Sequence, residues 1–197
     1  MTQNNNLRTS YEQDGFVMIR KLFDRREMGR WKDEAEKWKT HFNEVGVQVW
    51  YADTMTTFFF EQLRGSTIAE PVKSIFGGPI ELLSAKPVLK AGKVTAATPW
   101  HQDRAYWQGT HKMSVWIALD DATVDNGCLK VIRGGHLAYI EHLSTPMERG
   151  FQNRLVEEQL PFGNWLPVKC KQVMHSSFMT FCRIALFQIQ KDSIAGA

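Results

Sequence analysis

Apolar residues recur along this chain with two different periods, and the change of period divides it. Between residues 24 and 42, "DRREMGRWKDEAEKWKTHF" places Met28, Trp31, Ala35, Trp38 and Phe42 three or four apart. That spacing lays one apolar stripe along a helix, and Asp24 stands where an N-cap carboxylate would accept the first amides. Upstream, "GFVMIRKLF" comes after the turn residues Asp14 and Gly15 and predicts a short strand. "TIAEPVKSIFGG" predicts a second, shorter helix, capped by Thr67 and stopped by Gly77. From residue 79 the period shortens. "IELLSAKPVLKAG", "KMSVWIALDD", "CLKVIRGG" and "NWLPVKCKQVM" are runs of period two or of continuous apolar character, separated by Gly, Asn, Asp and Pro. Strands in succession without intervening helices predict an antiparallel barrel or jelly roll. The expected layout is mainly β with N-terminal helices. It forms one domain over residues 1–197, with a helical part to about residue 78, a β core over 79–174 and an atypical tail over 175–197.

Composition narrows the function classes. The 197 residues carry 43% hydrophobic and 23% charged positions, a globular balance with enough chain for a full core. The net charge is +3, and basic and acidic residues alternate in the helix above, so no basic stripe points to nucleic acid. No apolar run approaches the roughly 18 residues of a membrane span. The start, "MTQNNNLRTS", has no apolar leader, and three cysteines, Cys128, Cys170 and Cys182, suit reduced thiols; together these predict a cytoplasmic protein. Seven Trp and twelve Phe suit a core, or a pocket for an apolar ligand.

One stretch bears candidate chemistry. "PWHQDRAYW", residues 99–107, sets His101 and Asp103 two apart. On a strand such a pair projects from one face, and an imidazole beside a carboxylate can hold one metal ion. The same triplet also suits a polar surface loop. The adjoining residues favour a lined cavity. In "MSVWIALDDATVDNGCLKVIRGGHL", Ser114, Trp116 and Ala118 share one strand face, and Met113, Val115, Ile117 and Leu119 the other. "DNG" at 125–127 reads as a hairpin turn and "RGGH" at 133–136 as a second turn, so a polar-aromatic strand is expected to return beside the strand carrying His101 and Asp103.

Taken together and in order, "YEQDGFVMIRKLF", "PWHQDRAYW", "VWIALDDATVDNGCLKVIRGGHL" and "GNWLPVK" resemble the phytanoyl-CoA dioxygenase family of Fe(II)- and 2-oxoglutarate-dependent oxygenases, from about Tyr11 to about Met174. The resemblance implies a double-stranded β-helix, a jelly roll of the cupin kind. It implies Fe(II), 2-oxoglutarate and O2 as the reacting set, and a small-molecule or lipid-like substrate. His101 and Asp103 would be two of three iron ligands. Gln102 would help hold 2-oxoglutarate, and Trp116 would flank it. Lys90 reads as a solvated cation, His136 as a turn residue with a structural hydrogen bond, and Cys128 as core.

The tail departs from the family pattern. That pattern needs a second His far downstream, then Ser, Pro-Asn and, about ten residues on, an Arg whose fork matches the outer carboxylate of 2-oxoglutarate. Here the tail reads "VMHSSFMTFCRIALFQIQKDSIAGA", whose last His is His175 and last Arg is Arg183. Read in another frame from Phe178 onward, its codons permit "HDLLPHRSLPN", with an Arg at the Ile194–Ala195 junction. The expectation is a reading frame lost near Met174–His175, incomplete closing strands and impaired activity; a genuine variant tail is the alternative. Two rival functions stand beside the oxygenase: a catalytically inactive binding module of the same fold, and a cupin-type metal enzyme of another reaction class.

Overall fold

A computed structural model describes residues 2–20, 22–38, 50–51, 53–88, 99–106, 112–125, 128–144, 153–156, 158, 160, 165–168, 178–182 and 187–191. The chain opens with a helix, α1 (Thr2–Asp14), that its polar sequence conceals; Leu7 and Tyr11 are its contributions to the core. Gly15, at φ 83°, turns the chain into β1 (Phe16–Arg20). The left-handed backbone suits glycine, and a Cβ there would run into the His136 imidazole.

The expected amphipathic helix is α2 (Arg25–Lys37). Asp24 is its N-cap: its carboxylate accepts from Glu27 N at 2.7 Å, while Glu27 Oε2 accepts from Asp24 N at 2.8 Å. This reciprocal pair satisfies two amides that the helix cannot. Asp24→Ala is expected to cost about 1 kcal/mol in urea unfolding, the usual loss for an N-cap. Met28 and Trp31 are buried, and Ala35 and Trp38 pack against the same cluster, so the predicted stripe faces inward. Phe42 lies outside the described residues.

After β2 (Trp50–Tyr51), α3 (Thr57–Arg64) buries Phe59 and Leu63 and is capped by Thr56. The shorter helix predicted downstream is α4 (Ser66–Phe76). Gly77 ends it in the left-handed region at φ 72°, as expected. Thr67 is not its cap: Gly65 is, because α3 runs almost directly into α4 and Thr67 is already in the first turn. Helix and strand share the described residues about equally, which is more helix than the expected layout held. The two unforeseen helices, α1 and α3, account for the difference.

The strands are β3 (Ile80–Ala85), β4 (Lys112–Ile117), β5 (Leu129–Ile132), β6 (His142–Ser144), β7 (Asn153–Leu155), β8 (Trp165–Val168), β9 (Phe178–Cys182) and β10 (Phe187–Lys191). Six form one antiparallel sheet in the order β1-β9-β4-β10-β3-β2, and β5-β8 and β6-β7 form two-stranded ribbons. Two expectations are corrected here. Among the described residues the strands on either side, β4 and β5, are not paired with each other: β4 pairs with β9 and β10, whereas β5 pairs with β8. The tail does not leave the sheet without its closing strands. β9 pairs with β1 from Phe16↔Cys182 to Arg20↔Phe178, and β10 lies between β4 and β3. Ladder bonds join backbone groups, so a tail that lacks the family's motif can still fill strand positions.

Strand alternation sorts the core into two clusters. Val17, Met113, Val115 and Ile117 join Trp31, Phe59, Ile68 and Val72 in one. Phe16, Met18, Trp116 and Ala118 pack against Ala122, Cys128 and Val131 in the other. The two faces predicted for residues 113–118 are the two observed, and Cys128 is core as expected.

Candidate metal centre

β4 sits in the middle of the sheet, and its sequence K-M-S-V-W-I inserts one small hydroxyl among apolar residues. Ser114 is fully buried, and its Oγ donates to Asp103 Oδ2 at 2.9 Å. A buried carboxylate needs such partners. The other oxygen, Asp103 Oδ1, faces His101 Nε2 at 3.3 Å. Both residues are buried, His101 at 8% exposure and Asp103 at 1%. His101 Nδ1 lies 2.8 Å from the Pro99 carbonyl, which can only accept. That contact makes Nδ1 the donor and leaves Nε2 facing the carboxylate.

The pair is not on a strand, which corrects the local expectation. Residues 101 and 102 are irregular, and Asp103 begins a 3-10 turn over Asp103–Tyr106. The two side chains still converge, because the turn swings Asp103 back toward His101. With metal–ligand bonds of about 2.0–2.2 Å, adjacent donors lie roughly 2.8–3.1 Å apart in octahedral geometry and roughly 3.3–3.6 Å apart in tetrahedral geometry. The observed 3.3 Å falls within the span of the two. A carboxylate oxygen opposite an imidazole nitrogen, both out of water, is also a donor set that suits a cation between them. Among the described residues no third His, Cys, Asp or Glu completes a metal-binding group. His175, Arg183 and Lys90 lie outside the described residues.

Gln102 points away from this pair. Its amide donates to Gly135 O and Ala138 O, both at 2.7 Å, and accepts from Ile140 N at 3.0 Å. Trp116 packs in the cluster of Ala122, Cys128 and Val131. His136 makes the structural contact expected of it, with Nε2 donating to Glu12 O at 2.8 Å.

Two residues of the centre were not foreseen. Tyr106 stands edge-on to His101 at 5.6 Å between ring centroids, and Asn153 N donates to its hydroxyl. Burial pushes the Tyr106 phenol up; its bond with the Asn153 backbone opposes this, and the charge of Asp103 adds to it. His142 accepts from Gln102 N at Nε2 and faces Ile140 O through Nδ1, each at 2.8 Å. Forty residues separate His142 from Gln102, so no local spacing could reveal the contact. For Ser114, by contrast, the lone hydroxyl in an apolar strand was a visible signal.

Burial holds His142 below the usual imidazole range; the Ile140 carbonyl opposes this and nearby His101 reinforces it. The unfolded chain therefore takes up this proton more readily than the folded one. The contribution is fully present above about pH 6.5 and is lost as the pH falls through that value toward the depressed one. Urea midpoints should fall on acidification more steeply for the wild type than for His142→Gln, which has no such proton to gain.

Comparison with known proteins gives the kinship of the chain. The chain matches the phytanoyl-CoA dioxygenase (PhyH) family over residues 11–172. It is 36% identical over 81 residues to an L-proline trans-4-hydroxylase of Streptomyces griseoviridis, covering 38% of this chain and 30% of that one. It is 26% identical over 174 residues to the peroxisomal phytanoyl-CoA dioxygenase of Bos taurus, covering 74% of this chain and 51% of that one. The chain thus spans about a third to a half of the length of these two relatives. Among solved structures, EctD from S. alaskensis with 2-oxoglutarate and 5-hydroxyectoine superposes with a TM-score of 0.71 at 15% identity, over 96% of this chain and 70% of that one. The epimerase SnoN in complex with Fe3+, α-ketoglutarate and a nogalamycin compound superposes with a TM-score of 0.69 at 19% identity, over 95% and 82%. These likenesses show a shared fold, and the match over residues 11–172 shows the kinship: the chain belongs to the phytanoyl-CoA dioxygenase family.

Proposed function

We propose that this chain is an Fe(II)- and 2-oxoglutarate-dependent dioxygenase that hydroxylates a small-molecule or lipid-like substrate. The observation that carries the proposal is the buried His101–Asp103 pair at 3.3 Å, in a chain of this family. His101 Nε2 and Asp103 Oδ1 would hold the iron. Bound iron supplies O2 activation: 2-oxoglutarate is oxidised to succinate and CO2 while one oxygen atom enters a substrate C–H bond. The protein's part is orientation and shielding. The Pro99 carbonyl keeps His101 in the ligating tautomer, and the Ser114 hydroxyl holds Asp103 by one oxygen, leaving the other for the metal. Tyr106 closes over the imidazole edge. Trp116, on the β4 face that carries Ser114, would flank the cosubstrate.

The six-stranded sheet and the β5-β8 ribbon support a double-stranded β-helix with these residues on its inner side. The buried free thiol of Cys128 supports a reducing compartment, the cytoplasm in our reading.

A second reading has its own support. The tail offers no H-x-S-x-P-N and no Arg at the family's spacing, which favours a chain that keeps the fold and loses turnover. Succinate release under identical Fe(II) loading tests both readings. The chain as written is expected to release little, and a chain carrying the alternative frame after Met174 much more. Equal release would overturn the frame-loss reading. Oxygen uptake without need of 2-oxoglutarate would point to another cupin-type chemistry, and no uptake by either chain would overturn the oxygenase.

A further inference from the structure

Three hydrogen bonds close a ring beside the metal pair. Gln102 N donates to His142 Nε2 at 2.8 Å. His142 Nδ1 reaches Ile140 O at 2.8 Å. Ile140 N donates to Gln102 Oε1 at 3.0 Å. Outside the ring, both Gln102 amide hydrogens are engaged by Gly135 O and Ala138 O at 2.7 Å. Every donor and acceptor in the ring has one consistent assignment: His142 is neutral, protonated on Nδ1, and accepts at Nε2.

We infer that Gln102 and His142 are positioning residues, which together hold residues 101–103 against the 135–142 loop and so set the spacing between His101 Nε2 and Asp103 Oδ1. The inference rests on the metal reading of that pair. With two donors at i and i+2 outside a strand, no ladder fixes their separation. It depends on the soft dihedrals of the residue between them, and Gln102 is that residue. Its N–H is pinned by His142, and its side chain is pinned at three points of a loop more than thirty positions away. The amide that the family resemblance implied for 2-oxoglutarate is thereby committed to the loop. His142, although close to His101, spends its acceptor nitrogen on a backbone amide and is not the third ligand.

Groups that orient metal ligands characteristically change metal affinity by about 10–100-fold when removed. The test is Co(II) titration of the full, metal-free chain, read by visible absorption. His142→Phe keeps the ring and loses the acceptor, and Gln102→Met keeps the volume and loses the amide. Each is expected to weaken Co(II) binding by about 10-fold or more. His142→Gln carries an oxygen near the Nε2 place and is expected to recover most of the affinity. Thermal midpoints without metal should be similar for His142→Phe and His142→Gln, which separates positioning from a general loss of stability. Unchanged Co(II) affinity in His142→Phe and Gln102→Met would overturn the inference, as would His142→Gln performing no better than His142→Phe. So would a Gln102→Met protein that binds Co(II) normally and loses only 2-oxoglutarate. If the wild type itself takes up no Co(II), the metal reading fails instead. The ring is then read by hydrogen exchange in the metal-free protein: amides 102 and 140 should exchange faster in His142→Phe, and equal exchange would overturn it.

Discussion

Replacing His101 or Asp103 by alanine is expected to remove divalent-metal binding altogether. The two donors face each other at 3.3 Å, both buried, and no further His, Cys, Asp or Glu group stands by among the described residues to compensate. A site reduced to one donor holds a first-row metal only as weakly as a surface histidine does. Asp103→Asn is the sharper variant. It keeps the shape and an oxygen for the Ser114 hydroxyl, so it should fold, yet it lacks the charge that a cation requires. The measurement is the metal-dependent rise in thermal midpoint, since a ligand that binds only the folded state stabilises it by mass action. The wild type should show the rise and all three variants should not. Stoichiometric metal retained by either alanine variant would remove the assignment.

Trp31→Ala is expected to cost about 3–5 kcal/mol, the range for deleting a large buried aromatic. Trp31 is 1% exposed and lies where α2 meets α3. Its ring packs against Phe23 at 5.5 Å, Phe58 at 5.9 Å and Phe59 at 5.4 Å between centroids, tilted or edge-on. Such pairs add about 0.5–1.5 kcal/mol beyond the area they bury. The indole Nε1 is buried with no hydrogen-bond partner among the described residues, so Trp31→Phe should lose much less than Trp31→Ala. Urea unfolding of the two variants checks both statements. A loss below about 1 kcal/mol for alanine would place the stripe of α2 outside the core.

Patterns that are local in sequence were legible. Asp24 with Glu27 three residues on, then an apolar stripe, is sufficient to start α2, and Gly77 is sufficient to stop α4. The alternation through residues 113–118 assigned both faces of β4, because side-chain direction depends on backbone period alone. Where the pattern was weak, the prediction failed. Only Leu7 and Tyr11 mark the core face of α1, and the run of Phe58, Phe59 and Phe60 in α3 carries no clear period. Both helices are held by the surfaces they cover rather than by their own sequence.

The chemistry divides along the same line. The sequence by itself determined which residue types stand at 101 and 103, their family, and the departure of the tail from the family's motif. Only the tertiary structure decided that the pair converges through a 3-10 turn instead of a strand, that Ser114 takes one oxygen of Asp103, and that Gln102 turns its amide to a loop. It also decided that the tail fills two strands of the main sheet. The physical reason is one of range. Period and capping act within a few residues, whereas a hydrogen bond between Gln102 and His142, or a ladder between β1 and β9, joins groups brought together only when the whole chain has collapsed.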